Sequence, residues 1–389
     1  VSDNTDSGSV SATDLDRVVA VLDAWPGRDM AVATLAKGLP DIPSAARVCE
    51  QLVAAGALSH TGLGRVRSSL PTPDTGEQPD QGLQDLRAVQ RQFALDVIAV
   101  AAGINPFSRR FHPAFAHAHA NGDIDPSAAR RADHETRNIL AVFNSLRERV
   151  PGLALGLAEA GWDPLRVARR WHVLAHLQDA GAELAAELGN PLRSVLCARR
   201  GFALNELGHR EEARQSCDTA IDVALSTDDD WSAATGYDVR ARIAIAAGEI
   251  TTALADLYLA REHARRCDHP RMVALLERTR GDALARLDRH PEAITALTSA
   301  RATFTGLGDT AQVGRVDRRL AHSHLALGDH QAALHAAATA IEASTACADP
   351  YATADAYRVA ALVHRAEGDD KAAAAAENAA TDLGCQEGP

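Results

Sequence analysis

Arginine is the residue whose placement carries the most chemistry in this chain. Arg242, Arg278, Arg315, Arg318, Arg319 and Arg358 gather in its second half, with Asp238, Asp282 and His322 among them. A guanidinium is a rigid fork of donors that matches carboxylate or phosphate, so a row of them on one wall would draw an acidic partner or a small anionic effector. A second reading is a solvated helix face on which Asp282, Asp317 or Asp355 neutralises the cations. Both readings require helices that bring distant residues onto one surface.

Other reactive spacings are weaker. His172 and His176 stand four apart on one face of a helix, but no acid or third histidine is close in sequence to complete a metal site. His112, His117, His119 and His134 form a loose cluster and read as surface or helix-end residues. No GxSxG, HExxH or glycine-rich dinucleotide loop occurs. Six cysteines without a CxxC pair point to neither a disulfide framework nor a thiolate zinc site. Cys197 and Cys217 read as small buried residues. No catalytic residue, metal or cofactor is expected; a solenoid-based biosynthetic enzyme is an alternative for which no catalytic constellation is found.

Hydrophobic residues make up 46% of the 389 positions and aromatics only 4%, so Ala, Leu and Val must pack the core, as they do between closely approaching helices. That favours an all-α chain. A net charge of -12 opposes nonspecific attraction to nucleic acid or anionic membranes. No stretch is long and apolar enough to cross a bilayer, and the polar residues 1–13 lack the apolar run of a signal peptide. A reducing, cytoplasmic setting is expected. Lys37 and Lys371 are the only lysines; this preference for Arg fits a GC-rich, actinobacterial type of genome, in which the initial Val reads as a natural N-terminus from a GTG start.

The elements that position the arginines emerge from an internal period. The segments "LNELGHREEA", "IAIAAGEITTA", "LARLDRHPEAI", "HLALGDHQAAL" and "HRAEGDDKAAA" place Gly208, Gly248, Asp288, Gly328 and Gly368 40 residues apart. Three small-residue columns keep the same register: Gly201, Ala241, Gly281, Ala321 and Ala361; Ala213, Ala253, Ala293, Ala333 and Ala373; Ala220, Ala260, Ala300, Ala340 and Ala380. Small side chains at a crossing let two helix backbones approach, and the Gly or Asp between them lets the first helix stop. Each unit is therefore a helix–turn–helix. Ala180 stands in register with Ala220, which extends a degenerate unit back to about residue 151.

The front of the chain reads differently. "DLDRVVAVLDAW", "MAVATLAKGL" and "PSAARVCEQLVAAGAL" have helical spacing, and "SHTGLGRVRSS" reads as a hairpin turning at Gly62 to Gly64. Between Asp14 and Ser69, six acids face six bases. The third helix offers one base, Arg47, beside Glu50, and the hairpin offers Arg65 and Arg67. A DNA-binding surface should be basic where it meets phosphate, so these residues make nucleic acid an unlikely partner without removing it.

The 40-residue pattern resembles the tetratricopeptide repeat in its longer variety, although the aromatic early in the first helix is replaced by Cys197, Tyr237, Glu277, Asp317 and Tyr357. The resemblance implies a right-handed superhelix of hairpins whose first helices line a concave wall. Asp238 and Arg242, Arg278 and Asp282, the set Arg315, Arg318, Arg319 and His322, and Arg358 then point inward. Related repeat proteins often clamp a peptide carboxylate with such bases. The front resembles a winged helix, with "AARVCEQLVAAGAL" as its third helix and "TGLGRVR" as its wing. In order, winged helix, the stretch "AVQRQFALDVIAVAAGINPFSRRFHP", the helix "ADHETRNILAVFNSLRE" and long repeats are similar to the C-terminal half of the STAND, or NB-ARC, signalling regulators of actinobacteria, without their NTPase module. Lys37 in "LAKGLP" and Lys371 in "GDDKAA" do not form a phosphate-binding loop, so NTP hydrolysis is not carried over.

The expected organisation is a flexible tail over 1–13, a winged-helix-like domain over 14–69, a linker over 70–82, a helical adaptor over 83–150, a degenerate repeat over 151–192 and five repeats over 193–389. The fold class is an all-α solenoid of the tetratricopeptide type behind a small winged-helix-like domain. The expected function is a non-enzymatic regulatory adaptor that holds a protein, an acidic peptide or a small anionic effector, with no membrane role. The alternative is a ligand-sensing transcriptional regulator contacting DNA through Arg47, Arg65 and Arg67.

Overall fold

The computed structural model describes residues 11–25, 29–42, 45–55, 57–62, 65–68, 80–118 and 138–383. The front unit contains α1 (Ala12–Asp23), β1 (Met30–Ala31), α2 (Val32–Gly38), α3 (Ala45–Ala54), β2 (Leu58–Gly62) and β3 (Arg65–Ser68). Ser11 starts α1 with a capping box closed by Asp14. The strands form an antiparallel sheet in the order β1-β3-β2. The sequence places Met30 and Ala31 in a helix; instead they pair with Val66 and Arg65, and the helix begins at Val32. The pairing satisfies the free edge of β3 and buries Met30. Leu63 and Gly64, in the expected hairpin turn, lie outside the described residues.

This unit packs on α4 (Asp80–Ile104). Val89, Phe93 and Val97 of α4 are buried, and Trp25 meets Phe93 edge-on at 5.6 Å. Gly38 permits the approach, since a Cβ there would stand 2.7 Å from the Val89 Cα. Charged clamps flank the apolar contact: Arg17 binds Asp85 at 2.6 Å and Asp41 at 2.7 Å, and Lys37 binds Asp96 at 2.9 Å. Then come α5 (Phe115–Ala118), α6 over 138–147, α7 (Pro151–Ala160), α8 (Trp162–Val167) and α9 (Trp171–Glu187). One apolar core runs without a break from Val18 of α1 to Ile243 in the repeats.

Five hairpins follow: α10 (Leu192–Glu206) with α11 (Arg210–Ser226), α12 (Asp230–Ala247) with α13 (Ile250–Arg266), α14 (Pro270–Ala285) with α15 (His290–Leu307), α16 (Thr310–Ala326) with α17 (His330–Ala346), and α18 (Pro350–Glu367) with α19 (Asp370–Asp382). All three small-residue columns are buried, so they act as the close crossings that the sequence anticipates. Gly208 takes φ +83°, and the next N–H, of His209, donates to the Leu204 carbonyl at 2.9 Å; together these close the helix end. Asp229, Asp309, Asp329, Asp349 and Asp369 each cap the helix that follows with a side-chain oxygen.

The columns differ in tolerance. A methyl at Gly201 would lie 2.7 Å from Cys217 Sγ and 2.9 Å from the Ala213 carbonyl oxygen. Gly201→Ala should therefore cost about 1–3 kcal/mol by overpacking, read as a lower urea midpoint. Ala241 already carries that methyl in the same column.

Candidate functional site

The first helices of the hairpins, α10, α12, α14, α16 and α18, surround a cavity of about 530 Å³. The solenoid turns far enough for its start to meet its end: Arg169, between α8 and α9, binds Asp355 of α18 at 2.9 Å and lies over the Tyr351 ring at 4.6 Å. That bridge closes the wall on one side. Near another edge, the segment after α4 leans on the repeats. Arg109 binds the capping Asp229 at 3.2 Å and lies over Trp231 at 5.2 Å. A smaller pocket of about 190 Å³, sharing Phe202, Arg242 and Arg319 with the cavity, lies toward the C-terminal ends of α10, α12 and α14.

Nine arginines and four carboxylates line the cavity, with the aromatic rings of Trp162, Trp171, Phe202, Trp231 and Tyr351. Several arginines are held by carboxylates. Arg319 binds Asp282 at 2.5 Å, Arg271 binds Asp309 at 2.8 Å, and Arg318 stands 3.8 Å from Asp355. Arg315 reaches Asp349 only at 3.8 Å. Arg242 is half-buried and lies over the Phe202 ring at 4.7 Å. Arg199 donates to the Glu159 carbonyl at 3.0 Å.

Arg278 is the most exceptional of these. It is 5% exposed, hydrogen-bonds the neutral Gln312 amide oxygen through Nη1, and leaves Nε without a partner. Among the described residues no carboxylate stands within ion-pair distance of it. Burial drives its pKa well down, and the charges of Arg319 and Arg242 add to the shift against Asp238 and Asp282. Burial likewise brings Arg199 and Arg315 down to about 10. Arginine keeps its proton in proteins, so these shifts express cations held where water and counter-charge are both scarce.

The sequence-derived candidates divide. Asp238, Arg242, Arg278, Arg315, Arg318 and Arg319 line the cavity, and Asp282 and Arg319 line the smaller pocket. His322 and Arg358 line neither of these two pockets: His322 is exposed, and Arg358 binds the cavity-lining Asp355 at 2.9 Å. Asp317 does not neutralise the wall either. It occupies the packing column of Cys197 and Tyr237, is 2% exposed, and binds Arg301 of the preceding hairpin at 2.6 Å. The sequence reading missed Arg166, Arg169 and Arg199, as well as the aromatic lining.

No family model and no curated protein matches the sequence. Solved structures match in shape. A Rap protein complexed with competence and sporulation factor aligns over 95% of this chain and 91% of its own, with a TM-score of 0.52 and 11% identity. The Cut9–Hcn1 hetero-tetramer of APC/C aligns over 77% of this chain and 54% of that one, with a TM-score of 0.50 and 14% identity. The fold is a tetratricopeptide-type α-solenoid. A STAND protein with a tetratricopeptide repeat sensor from Pyrococcus horikoshii covers 96% of this chain and 60% of its own at a TM-score of 0.45 and 14% identity.

Outside the solenoid cavity, Arg65 is corrected. It is 5% exposed and binds Asp29 at 3.1 Å, so it cannot meet a phosphate backbone; Arg47 and Arg67 are exposed. His172 and His176 are both exposed on α9, and among the described residues no cluster of three metal-ligating side chains occurs. The His112 N–H donates to Glu159 at 2.9 Å. His119 and His134, and the side chain of His117, lie outside the described residues. No described helix is long and apolar enough to cross a membrane.

Proposed function

We propose that the protein is a non-enzymatic regulatory adaptor whose solenoid cavity holds an anionic partner. The observation that carries this reading is the excess of arginine around one cavity, with Arg278 buried and without an ion-pair partner among the described residues. A buried cation without a counter-ion costs free energy, and an anion entering the cavity would recover it. A Rap protein of similar fold was solved with a bound factor, in keeping with a ligand-holding solenoid. A reducing, cytoplasmic setting is part of this reading. The front unit, joined to α4, is assigned to a second partner through α3 and β3. With Arg65 buried, the DNA alternative retains only Arg47 and Arg67.

Three of the four tryptophans line the cavity and the fourth, Trp25, is buried in the front unit. Pentaglutamate and tripolyphosphate titrated against the full chain should therefore produce a saturable change in tryptophan emission that weakens with salt. Arg242→Glu should reduce the affinity at least tenfold. The adaptor reading fails if neither anion gives a saturable change.

A further inference from the structure

We infer that the cavity's ligand is a small molecule carrying a chain of two or more phosphate groups. This rests on the anion-binding reading above and narrows it.

The first argument is charge. Asp282 is occupied by Arg319, Asp309 by Arg271, and Asp355 by Arg169 and Arg318. Arg199, Arg242 and Arg278 have no ion-pair partner among the described residues, and Arg315 has only a long one. Asp238 and Glu206 line the same cavity without an ion-pair partner among the described residues, so an excess of about two positive charges is left around about 530 Å³. A single carboxylate or monoanion would leave part of it unanswered. A di- or triphosphate concentrates three to four negative charges into a comparable span, and guanidinium forks match its oxygens.

The second argument is the kind of hydrogen bond on offer. Arg278 Nε and Trp231 Nε1 are buried donors without an acceptor. Three of the four lining carboxylates are already engaged: Asp238 takes the Thr279 hydroxyl at 2.6 Å, Asp349 caps α18, and Asp355 takes Arg169 at 2.9 Å. A peptide strand brings backbone N–H groups that need acceptors once buried. A phosphate chain brings acceptors only.

The third argument is size. The volume lies in the range of small-molecule pockets, roughly 300–1,000 Å³, and the Arg169–Asp355 bridge ties the first part of its lining to the last. The adjoining pocket, with Ile243, Ile245, Ala246 and the unpartnered Asn205 Oδ1, has room for an organic group attached to the phosphates. The phosphate chain itself could come from a nucleotide or from inorganic polyphosphate.

The test is calorimetric titration of the full chain at fixed salt with orthophosphate, tripolyphosphate, ATP, GTP and pentaglutamate, repeated on Arg242→Gln and Arg278→Met. Tripolyphosphate or a nucleoside triphosphate should bind at least 100-fold more tightly than orthophosphate or pentaglutamate. Each variant should lose at least 30-fold while its helical circular dichroism is unchanged. A nucleotide binding more tightly than tripolyphosphate assigns the adjoining pocket to the nucleoside; equal affinity assigns the site to the inorganic chain. Tighter binding of pentaglutamate overturns the phosphate assignment and leaves the adaptor reading standing. Triphosphate binding that survives both substitutions overturns it too, and silence from all five anions sinks both.

Discussion

Asp163→Ala is expected to lower the free energy of unfolding by about 3–5 kcal/mol, because it strands a buried cation. Asp163 is fully buried and Arg110 is 4% exposed at the side chain. The pair is joined at 2.7 Å, and the same carboxylate accepts the Asn105 amide at 3.1 Å. Arg110 Nη2 also donates to the carbonyls of Ala101 and Asn105, whereas Nε and Nη1 have no partner. Without Asp163, no carboxylate among the described residues stands within ion-pair distance of Arg110. The double variant Arg110→Met/Asp163→Leu should recover most of the loss. A single-variant loss below 1 kcal/mol in chemical denaturation would show that water reaches the pair.

The same pair sets an acid limb. Burial pushes the Asp163 carboxyl up, but Arg110, Arg166 and Arg199 together outweigh it and hold the pKa below the ordinary 3.8. A group with a lowered folded pKa stabilises the fold above its unfolded pKa, and that contribution is lost as pH falls through the folded value. The gap between wild type and Asp163→Ala should therefore be full at neutral pH and shrink below about pH 4. Asp163 also ties function to architecture. Asn105 ends α4, which carries the front unit, while Arg166 of α8 lines the cavity and stands 3.6 Å from Asp163.

The repeat was legible because its determinant is local: small residues recurring at one period produce close crossings wherever they occur. The closing of the ring was not legible. Arg169 lies outside the 40-residue register, and its partner Asp355 is 186 positions away, so no spacing rule connects them. Arg65 and Arg67 share a strand face by alternation. What buries Arg65 is Asp29, just ahead of the two-residue strand β1, and a strand that short leaves almost no trace in the sequence. Asp317 was misplaced for a subtler reason. Its charge groups it with the wall acids, yet the 40-residue register puts it with Cys197 and Tyr237, in a column that packs hairpin against hairpin. Charge alone drew it to the wrong side of the helix.

Arg278→Met should make the unliganded protein more stable by about 1–4 kcal/mol, the range seen when buried charges give way to apolar side chains of similar volume. The loss is one hydrogen bond, to Gln312, worth about 1 kcal/mol. The gain is release of a guanidinium that is 5% exposed, has an unpartnered Nε, and is repelled by Arg319 and Arg242 against the attraction of Asp238 and Asp282. Desolvation of an uncompensated charge costs several kcal/mol, so the gain outweighs the loss. Thermal unfolding of the two proteins without ligand measures the difference directly. Added tripolyphosphate should then reverse the order. Binding to the native state adds RT ln(1 + [L]/Kd), about 2.7 kcal/mol at 100 times Kd, for wild type and little for the variant. A residue that weakens the empty protein and strengthens the filled one is a binding residue. If Arg278→Met instead destabilises the empty protein, the guanidinium is a structural member of the wall, and the cavity's excess charge would have to be explained by its other arginines.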